Sequence, residues 1–294
     1  EVVANNEQKE KWLRPLAKAE IRSCFSMTEP SPGAGSDPTM LQTTAKKTSK
    51  GWLINGEKWF ITGFNGAKLN IIMAKTSDKI EKGFGATMFL VDNDDPAIIK
   101  IRTQNSMESS FPGGHCQIKF KDLLVSDDQV LGEVGQGYKY AQVRLAPARL
   151  THCMRWLGAA QRAHDIATSY ASKRHAFGKA IGDHGGLAFQ LTDNEIDIQM
   201  SRLFIWNTAW LLDQGEQARN ESSMSKIFCS EAAFRIVDRA MQTLGGMGIT
   251  DDTLVERLFR EIRPFRIYDG PSEVHRWAIA KRLMKSVIGK NIPT

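Results

Sequence analysis

The chain has 294 residues, 41% hydrophobic and 24% charged, which is an ordinary globular composition with enough apolar mass for sizeable cores and more length than one domain usually takes. Its 39 basic and 33 acidic residues leave a net charge of +6. That excess is spread along the chain without a block of like charges, so it argues against nucleic acid and suits a phosphorylated ligand equally well.

The first element, EQKEKWLRPLA, reads as a short helix with Trp12, Leu13 and Leu16 to bury and little before it to bury them against. From about residue 50 to 125 the apolar period is two. In GWLINGEKWFITG, Asn55-Gly56 lies between apolar-rich runs, which predicts a tight hairpin there. KLNIIMAKT, GATMFLVD, AIIKIRTQ and HCQIKFKDLLV follow as strands. In the last, Cys116, Ile118 and Phe120 alternate with Gln117, Lys119 and Lys121, so one face is buried. With no helices between the strands, an antiparallel β-barrel or sandwich is expected. After GEVGQGYKY the period becomes 3.6, predicting helices over 137–173, 186–214, 220–244, 251–262 and 271–288, with Pro147 bending or interrupting the first. Long helices with short links make an antiparallel α-helical bundle. Leu203, Trp206, Trp210 and Leu211 recur at helical spacing and read as core packing. The fold class is therefore α+β, divided into a helical remnant over 1–20, a β-domain over 21–130 and a helical bundle over 131–294.

The familiar signatures are absent: no G-x-G-x-x-G between strand and helix, no P-loop, no H-E-x-x-H, no G-x-S-x-G. Cys24, Cys116, Cys153 and Cys229 form no C-x-x-C pair, and with six scattered histidines they argue against a metal site or a disulfide framework and for a reducing compartment. No apolar run reaches transmembrane length, and the charged opening lacks the apolar stretch of a signal peptide. Each remaining stretch has two readings. CFSMTEPSPGAGSD (24–37) lines a planar ligand or an anion, or is a surface loop. KWFITGF (58–64) presents an aromatic pair and Thr62, or is a packed strand. In KRHAFGK (173–179), Arg174 grips a phosphate or caps a helix dipole. MQTLGGMGIT lets a ligand approach closely, or ends a helix. In RPFRIYDGPSEVHRWAIAKRLMK (263–285), Asp269 stands just outside a helix N-terminus, as a cap or as a base.

Taken in chain order, MTEP…GAGSD, INGEKWFIT, RHAFGK, QTLGGMG and IYDGPSEVHR resemble the acyl-CoA dehydrogenase family over residues 7–288. LAPARLTHCMR, PGGHCQIKF and DGPSEVH are most similar to its branch found beside aminoglycoside-phosphotransferase-like kinase domains. The resemblance implies an N-terminal helical domain, here largely missing, then a β-domain and a bundle, in homodimers or homotetramers with FAD lying partly between subunits. It implies that Met27, Thr28, Phe60 and Thr62 contact the flavin ring. It implies that Arg174, Phe177, Gln242 and Gly246 hold the pyrophosphate and adenosine of a neighbour's FAD, with Pro271 and Glu273 in place of the usual Thr and Gln. Ser36, Arg149, Tyr268 and Gly270 fall to the acyl-CoA. Asp269 matches the position of the base that removes the α-proton of the thioester while hydride leaves for flavin N5. The alternative base position on the first bundle helix is Ala148, before Arg149, and cannot serve. The implied activity is dehydrogenation to the 2,3-enoyl-CoA, with electron-transfer flavoprotein as acceptor, in a bacterial cytoplasm, mitochondrial matrix or peroxisome. Two other readings remain: a nitroalkane-oxidase-like flavoenzyme, which also uses an aspartate base, and an inactive assembly protein on this fold.

Overall fold

The computed structural model describes residues 2–77 and 85–288 and divides into two units, Glu1–Arg144 and Leu145–Thr294. Asn5 opens the first with a capping box: its Oδ1 accepts the Gln8 N–H (2.8 Å) and Gln8 Oε1 accepts the Asn5 N–H (3.3 Å). Helix α1 (Asn6–Gln8) continues through a π turn (Lys9–Leu13) into α2 (Arg14–Ala17). Gln8 Nε2 donates to the carbonyls of Asp128 (2.7 Å) and Val130 (2.8 Å), and Trp12 is buried with Leu69 and Leu90. The partner that the sequence did not offer this helix is thus the sheet that follows it.

That sheet has eight strands: β1 (Ser23–Ser26), β2 (Thr44–Thr48), β3 (Gly51–Thr62), β4 (Leu69–Lys75), β5 (Ala86–Asp92), β6 (Ile98–Gln104), β7 (His115–Val125) and β8 (Val130–Leu131). Its order is β6-β7-β3-β2-β4-β5-β8, with β1 added parallel to β4. The path is open, so the expected barrel closure does not occur, and β2 also meets β4 in parallel. The alternation on β7 holds: Cys116, Ile118 and Phe120 join Trp52, Ile54, Ile61 and Phe89 in one core.

Asn55-Gly56 is not a turn. β3 runs unbroken through it, and the hairpin is at Thr48–Gly51, joining β2 to β3. Gly56 (φ +154°) marks a bulge against β7, where a Cβ would lie 2.5 Å from the Thr43 hydroxyl. A glycine forced by close approach leaves the same local signature as a glycine forced by a turn. A second irregularity falls between Lys58 and Ile61, and there Phe60 takes φ +52°.

The second unit holds the bundle. α3 (Gly137–Lys173) is continuous through Pro147, so the expected interruption is absent. It is followed by α4 (Gly185–Asp213), α5 (Arg219–Leu244), α6 (Leu254–Ile262) and α7 (Ser272–Ile288). Cys153, Ala160, Ala163 and Ala167 put small side chains along one face of α3, against Ile198 and Ile205 of α4 and Ala233, Ile236 and Val237 of α5. Between α3 and α4, β9 (His175–Ala176) and β10 (Lys179–Ala180) form a tight hairpin. Phe177 (φ +52°) and Gly178 (φ +84°) make its turn, so KRHAFGK is a hairpin tip as well as a helix end. The stripe on α4 contradicts its core reading: Trp206 and Trp210 are 61% and 59% exposed, and Leu203 is exposed beside them.

Candidate functional site

In the first unit, the loop after β1 is organised by one carboxylate. Glu29 Oε2 accepts the N–H groups of Ala34 (3.1 Å) and Gln42 (2.7 Å), and Oε1 accepts that of Thr43 (2.9 Å). Oε1 also accepts from Lys58 Nζ at 2.8 Å, and the same ammonium donates to the Met27 carbonyl at 3.0 Å. Both side chains are buried. Burial pulls Lys58 down to about 8 despite Glu29. Burial pushes Glu29 up, but the Lys58 charge and the hydrogen bonds outweigh it and leave the carboxyl below its ordinary value.

This pair joins the loop to β3. Trp59 N–H donates to the Thr28 carbonyl (3.0 Å), and Thr28 Oγ1 donates to the Trp59 carbonyl (2.7 Å). Met27 and Thr28 are thereby fixed beside Phe60 and Thr62, so the four flavin-ring candidates of this unit come together. Phe60 is half exposed, in a left-handed conformation that a bulky residue rarely adopts, and its N–H is taken by Gln104 Oε1 at 2.9 Å. Thr62 Oγ1 lies 2.9 Å from His115 Nδ1, whose other ring nitrogen is 2.8 Å from Glu108 Oε1. An uncovered aromatic face beside two hydroxyl-bearing residues fits a planar ring. Ser36 is exposed in the same loop.

The second unit builds a centre around Asp269. The residue sits at φ +54°, between a 3-10 turn (Arg263–Arg266) and α7. Its carbonyl oxygen accepts from Arg149 Nε of α3 (3.0 Å) and is 3.1 Å from His275 Nε2 of α7. Its Oδ2 lies 3.1 Å from His152 Nε2 in an oblique approach, closer to a charge contact than to an aligned hydrogen bond. Gly270 (φ +97°) is demanded twice, by its backbone and because a Cβ would meet His275 Nε2 at 2.7 Å. Tyr268 accepts from Trp156 Nε1 and from Arg155 (3.2 Å). Burial raises its phenol to about 12, so it stays neutral.

Burial and the neighbouring Arg149 hold His275 down at about 4, uncharged at neutral pH. Lys226 of α5 is fully buried, with Nζ 5.2 Å over the Phe265 ring and no hydrogen-bond acceptor among the described residues. Burial lowers it to about 8, against the pull of Asp269 and Glu231. Glu231 anchors the start of α7 by accepting from Ser272 Oγ (2.7 Å) and pairing with Arg266 (2.7 Å). Burial raises its carboxyl, but these partners leave it lowered overall.

The other candidates of this unit lie apart. Arg174 is exposed beside the hairpin whose tip carries Phe177, 96% exposed. Gln242 and Gly246 are exposed at the end of α5, where Gly245 (φ +58°) closes the helix. No hydrogen bond or ion pair joins Arg174 to Gln242 among the described residues. A Cβ on Gly246 would meet nothing within 4 Å, which leaves room for a ligand, whereas Gly248 is packed against the Met241 carbonyl. Pro271 is half-buried and Glu273 exposed. Sequence reading missed Glu29, Lys58, His115, His152, Lys226 and His275. His152 had a signal, since it lies one helical turn after Ala148 and so shares its face.

Known proteins give the same outline. The acyl-CoA dehydrogenase middle domain matches residues 24–123, and the acyl-CoA dehydrogenase C-terminal domain matches residues 135–284. This chain belongs to the acyl-CoA dehydrogenase family. Its members are flavoprotein oxidoreductases, and FAD is their cofactor. The chain is 36% identical to "Probable acyl-CoA dehydrogenase FadE2" of Mycobacterium tuberculosis over 94% of its own length and 68% of that protein's. It is 35% identical to mouse acyl-CoA dehydrogenase family member 10 over 95% of its length, yet spans 27% of that longer chain. An acyl-CoA dehydrogenase structure from Geobacillus kaustophilus superposes with a TM-score of 0.90 at 30% identity, covering 95% of this chain and 73% of that one. The FAD complex of PigA gives 0.90 at 27% identity, covering 96% and 73%.

Proposed function

We propose that this acyl-CoA dehydrogenase family member oxidises an acyl-CoA thioester to the 2,3-enoyl-CoA, with Asp269 as the base that removes the α-proton. The observation that carries the reading is the way Asp269 is held. Its backbone is left-handed, its carboxylate is only 14% exposed, and an arginine and a histidine from two different helices grip its carbonyl. A helix cap requires none of this. A base requires it, because a misplacement of about 1 Å at a reacting atom lowers rates about 100-fold.

When bound, FAD supplies the acceptor for the two electrons that leave the β-carbon. Met27, Thr28, Phe60 and Thr62 would line its ring. Arg174, Phe177, Gln242 and Gly246 would hold the far end of a neighbouring copy's cofactor, with Pro271 and Glu273 nearby. The remaining work falls to this chain's own residues. Asp269 takes the proton from the α-carbon, and its main-chain N–H faces the developing charge on the thioester oxygen. Arg149 and His275 fix that peptide unit. Ser36 of the first unit, and separately Tyr268 and Gly270 of the second, are the further residues assigned to acyl-CoA. The assembly is a homodimer or homotetramer, a reading supported by the exposed Trp206 and Trp210 of α4, since apolar faces of this kind mark interfaces. The electron acceptor is electron-transfer flavoprotein, the compartment is a bacterial cytoplasm, mitochondrial matrix or peroxisome, and the branch is the one found beside kinase domains. Residues 1–20 are a helical segment similar to the last helix of the family's N-terminal domain, before a β-domain to 130 and a bundle to 294.

Anaerobic titration of the FAD-loaded protein with a panel of acyl-CoA thioesters tests this. At least one chain length should bleach the flavin absorbance. Bleaching by nitroethane alone would transfer the aspartate base to nitroalkane oxidation. A protein that retains no FAD under any condition would point to the assembly role.

A further inference from the structure

We propose that His152 is the proton partner of Asp269, so that the carboxylate and imidazole together, rather than a lone carboxylate, accept and hold the α-proton. The proposal rests on the dehydrogenase reading, which puts Asp269 at the reacting carbon.

The geometry is local to the second unit. His152 Nε2 is 3.1 Å from Asp269 Oδ2, and on the same helix Arg149 Nε is 3.0 Å from the Asp269 carbonyl oxygen. One face of α3 therefore delivers a donor to the main chain of the base and a ring nitrogen to its carboxylate. The imidazole stands edge-on to Tyr268 (ring centres 5.2 Å apart) and Phe265 (6.2 Å). Tyr268 is itself tied to Trp156 and Arg155, so the ring is held by fixed neighbours. His152 is 24% exposed, while His275 and Lys226 of the same cluster are buried. It is the imidazole of this group that can exchange its proton with small molecules outside.

The chemistry follows from relative basicity. The Cα–H bond breaks, its electron pair stays on the substrate, and the proton goes to a carboxylate oxygen of Asp269. From there it passes to His152 Nε2, in the tautomer whose resting proton is on Nδ1, which leaves Asp269 ionised and the imidazole cationic. The substrate's two electrons go to the bound flavin, as in the proposed reaction. In water an imidazole is more basic than an aspartate by roughly 2.6 pKa units, so the proton rests on the ring and does not return with the enolate. An aspartate is also one methylene shorter than the usual glutamate, and the imidazole occupies the reach that the longer acid would use. The charged and titratable groups that act on the cluster holding Asp269 are Arg149, Cys153 and Arg155 on α3, Lys226 and Glu231 on α5, Tyr268 in the turn, and His275 and Arg282 on α7. Arg149 and Lys226 oppose a second cation there. The Asp269 charge is what permits one.

Two measurements test the pair on the full chain. In histidine-selective ¹³C NMR, the His152 signal is assigned by its loss in His152→Gln. Its ¹³C shifts, which report the tautomer and charge of the ring, should change in Asp269→Asn at one fixed neutral pH, because the carboxylate 3.1 Å from the ring nitrogen is gone. This readout needs no flavin. The second measurement uses FAD-loaded His152→Gln, which keeps a donor near Asp269 but cannot take a proton. Flavin reduction by acyl-CoA should slow about 100-fold, with acyl-CoA affinity unchanged and the pH profile of reduction altered. A His152 signal indifferent to Asp269→Asn overturns the pair, as does a His152→Gln enzyme with wild-type rate and pH profile. A wild-type protein that no acyl-CoA reduces would sink the dehydrogenase reading instead, and the NMR comparison would still decide whether His152 and Asp269 are coupled.

Discussion

Replacing Lys58 with methionine removes the cation from a buried pair and leaves Glu29 in place. The carboxylate keeps the N–H groups of Ala34, Gln42 and Thr43, but its one charged partner is gone and no solvent reaches it. Breaking a buried pair from one side costs about 3–5 kcal/mol. At roughly 2–4 °C per kcal/mol, the first unit should melt about 6–20 °C lower by calorimetry of the FAD-free chain. The pH dependence separates this cause from simple loss of packing. In the wild type the Glu29 carboxyl is lowered by folding, so its contribution is present above the unfolded value and is lost as pH falls. In Lys58→Met the buried carboxyl is raised instead, so the penalty is greatest at neutral pH and shrinks toward pH 5. Adding Glu29→Gln should recover part of the loss. One amide oxygen then serves Ala34 and Gln42, and the Thr43 N–H is left unpaired, at about 1–3 kcal/mol. FAD retention should fall in the single variant, because Lys58 also holds the Met27 carbonyl. A Lys58→Met protein within about 1 kcal/mol of wild type, with parallel pH curves, would refute this account of the loop.

Asp269→Asn should fold and keep FAD, while flavin reduction by acyl-CoA falls at least 10²–10⁴-fold in stopped-flow absorbance; an unchanged rate would remove Asp269 from the mechanism. Asp269→Glu should also be slower than wild type, because His152 already stands against the carboxylate. Gly270→Ala, with φ +97° and a Cβ 2.7 Å from His275 Nε2, should lower stability by about 1–3 kcal/mol in urea unfolding, and a neutral result would show that the turn relaxes freely. Arg174→Glu should weaken FAD retention after gel filtration without disturbing the thermal melt, and Trp206→Ser with Trp210→Ser should lower the oligomeric state on light scattering; a wild-type protein that is already a flavin-replete monomer would contradict both expectations.

Much of this protein was legible in its sequence because the information is local. The 3.6 period placed five helices close to their observed limits, since each helix must keep one stripe dry whatever its neighbours are. The alternation on β7 identified its buried face for the same reason. The ordered motifs named the family and singled out Asp269, because turn glycines, helix starts and ligand loops are written in consecutive residues.

Tertiary structure decided what sequence spacing does not encode. Periodicity shows that Leu203, Trp206 and Trp210 share a face but not what covers it, and in this chain they are exposed. Asn55-Gly56 satisfied the hairpin rule, yet the glycine answers to Thr43 on a different strand, which only the fold brings within contact. Glu29 and Lys58 stand 29 residues apart with no spacing that pairs them, and only the folded sheet buries them together, where the low local dielectric makes each indispensable to the other. His152 reads as an unremarked helix residue until the chain returns at Asp269. A residue type and its helical phase are properties of the sequence, but a proton path needs two groups about 3 Å apart, and that distance exists only once the chain has folded back on itself.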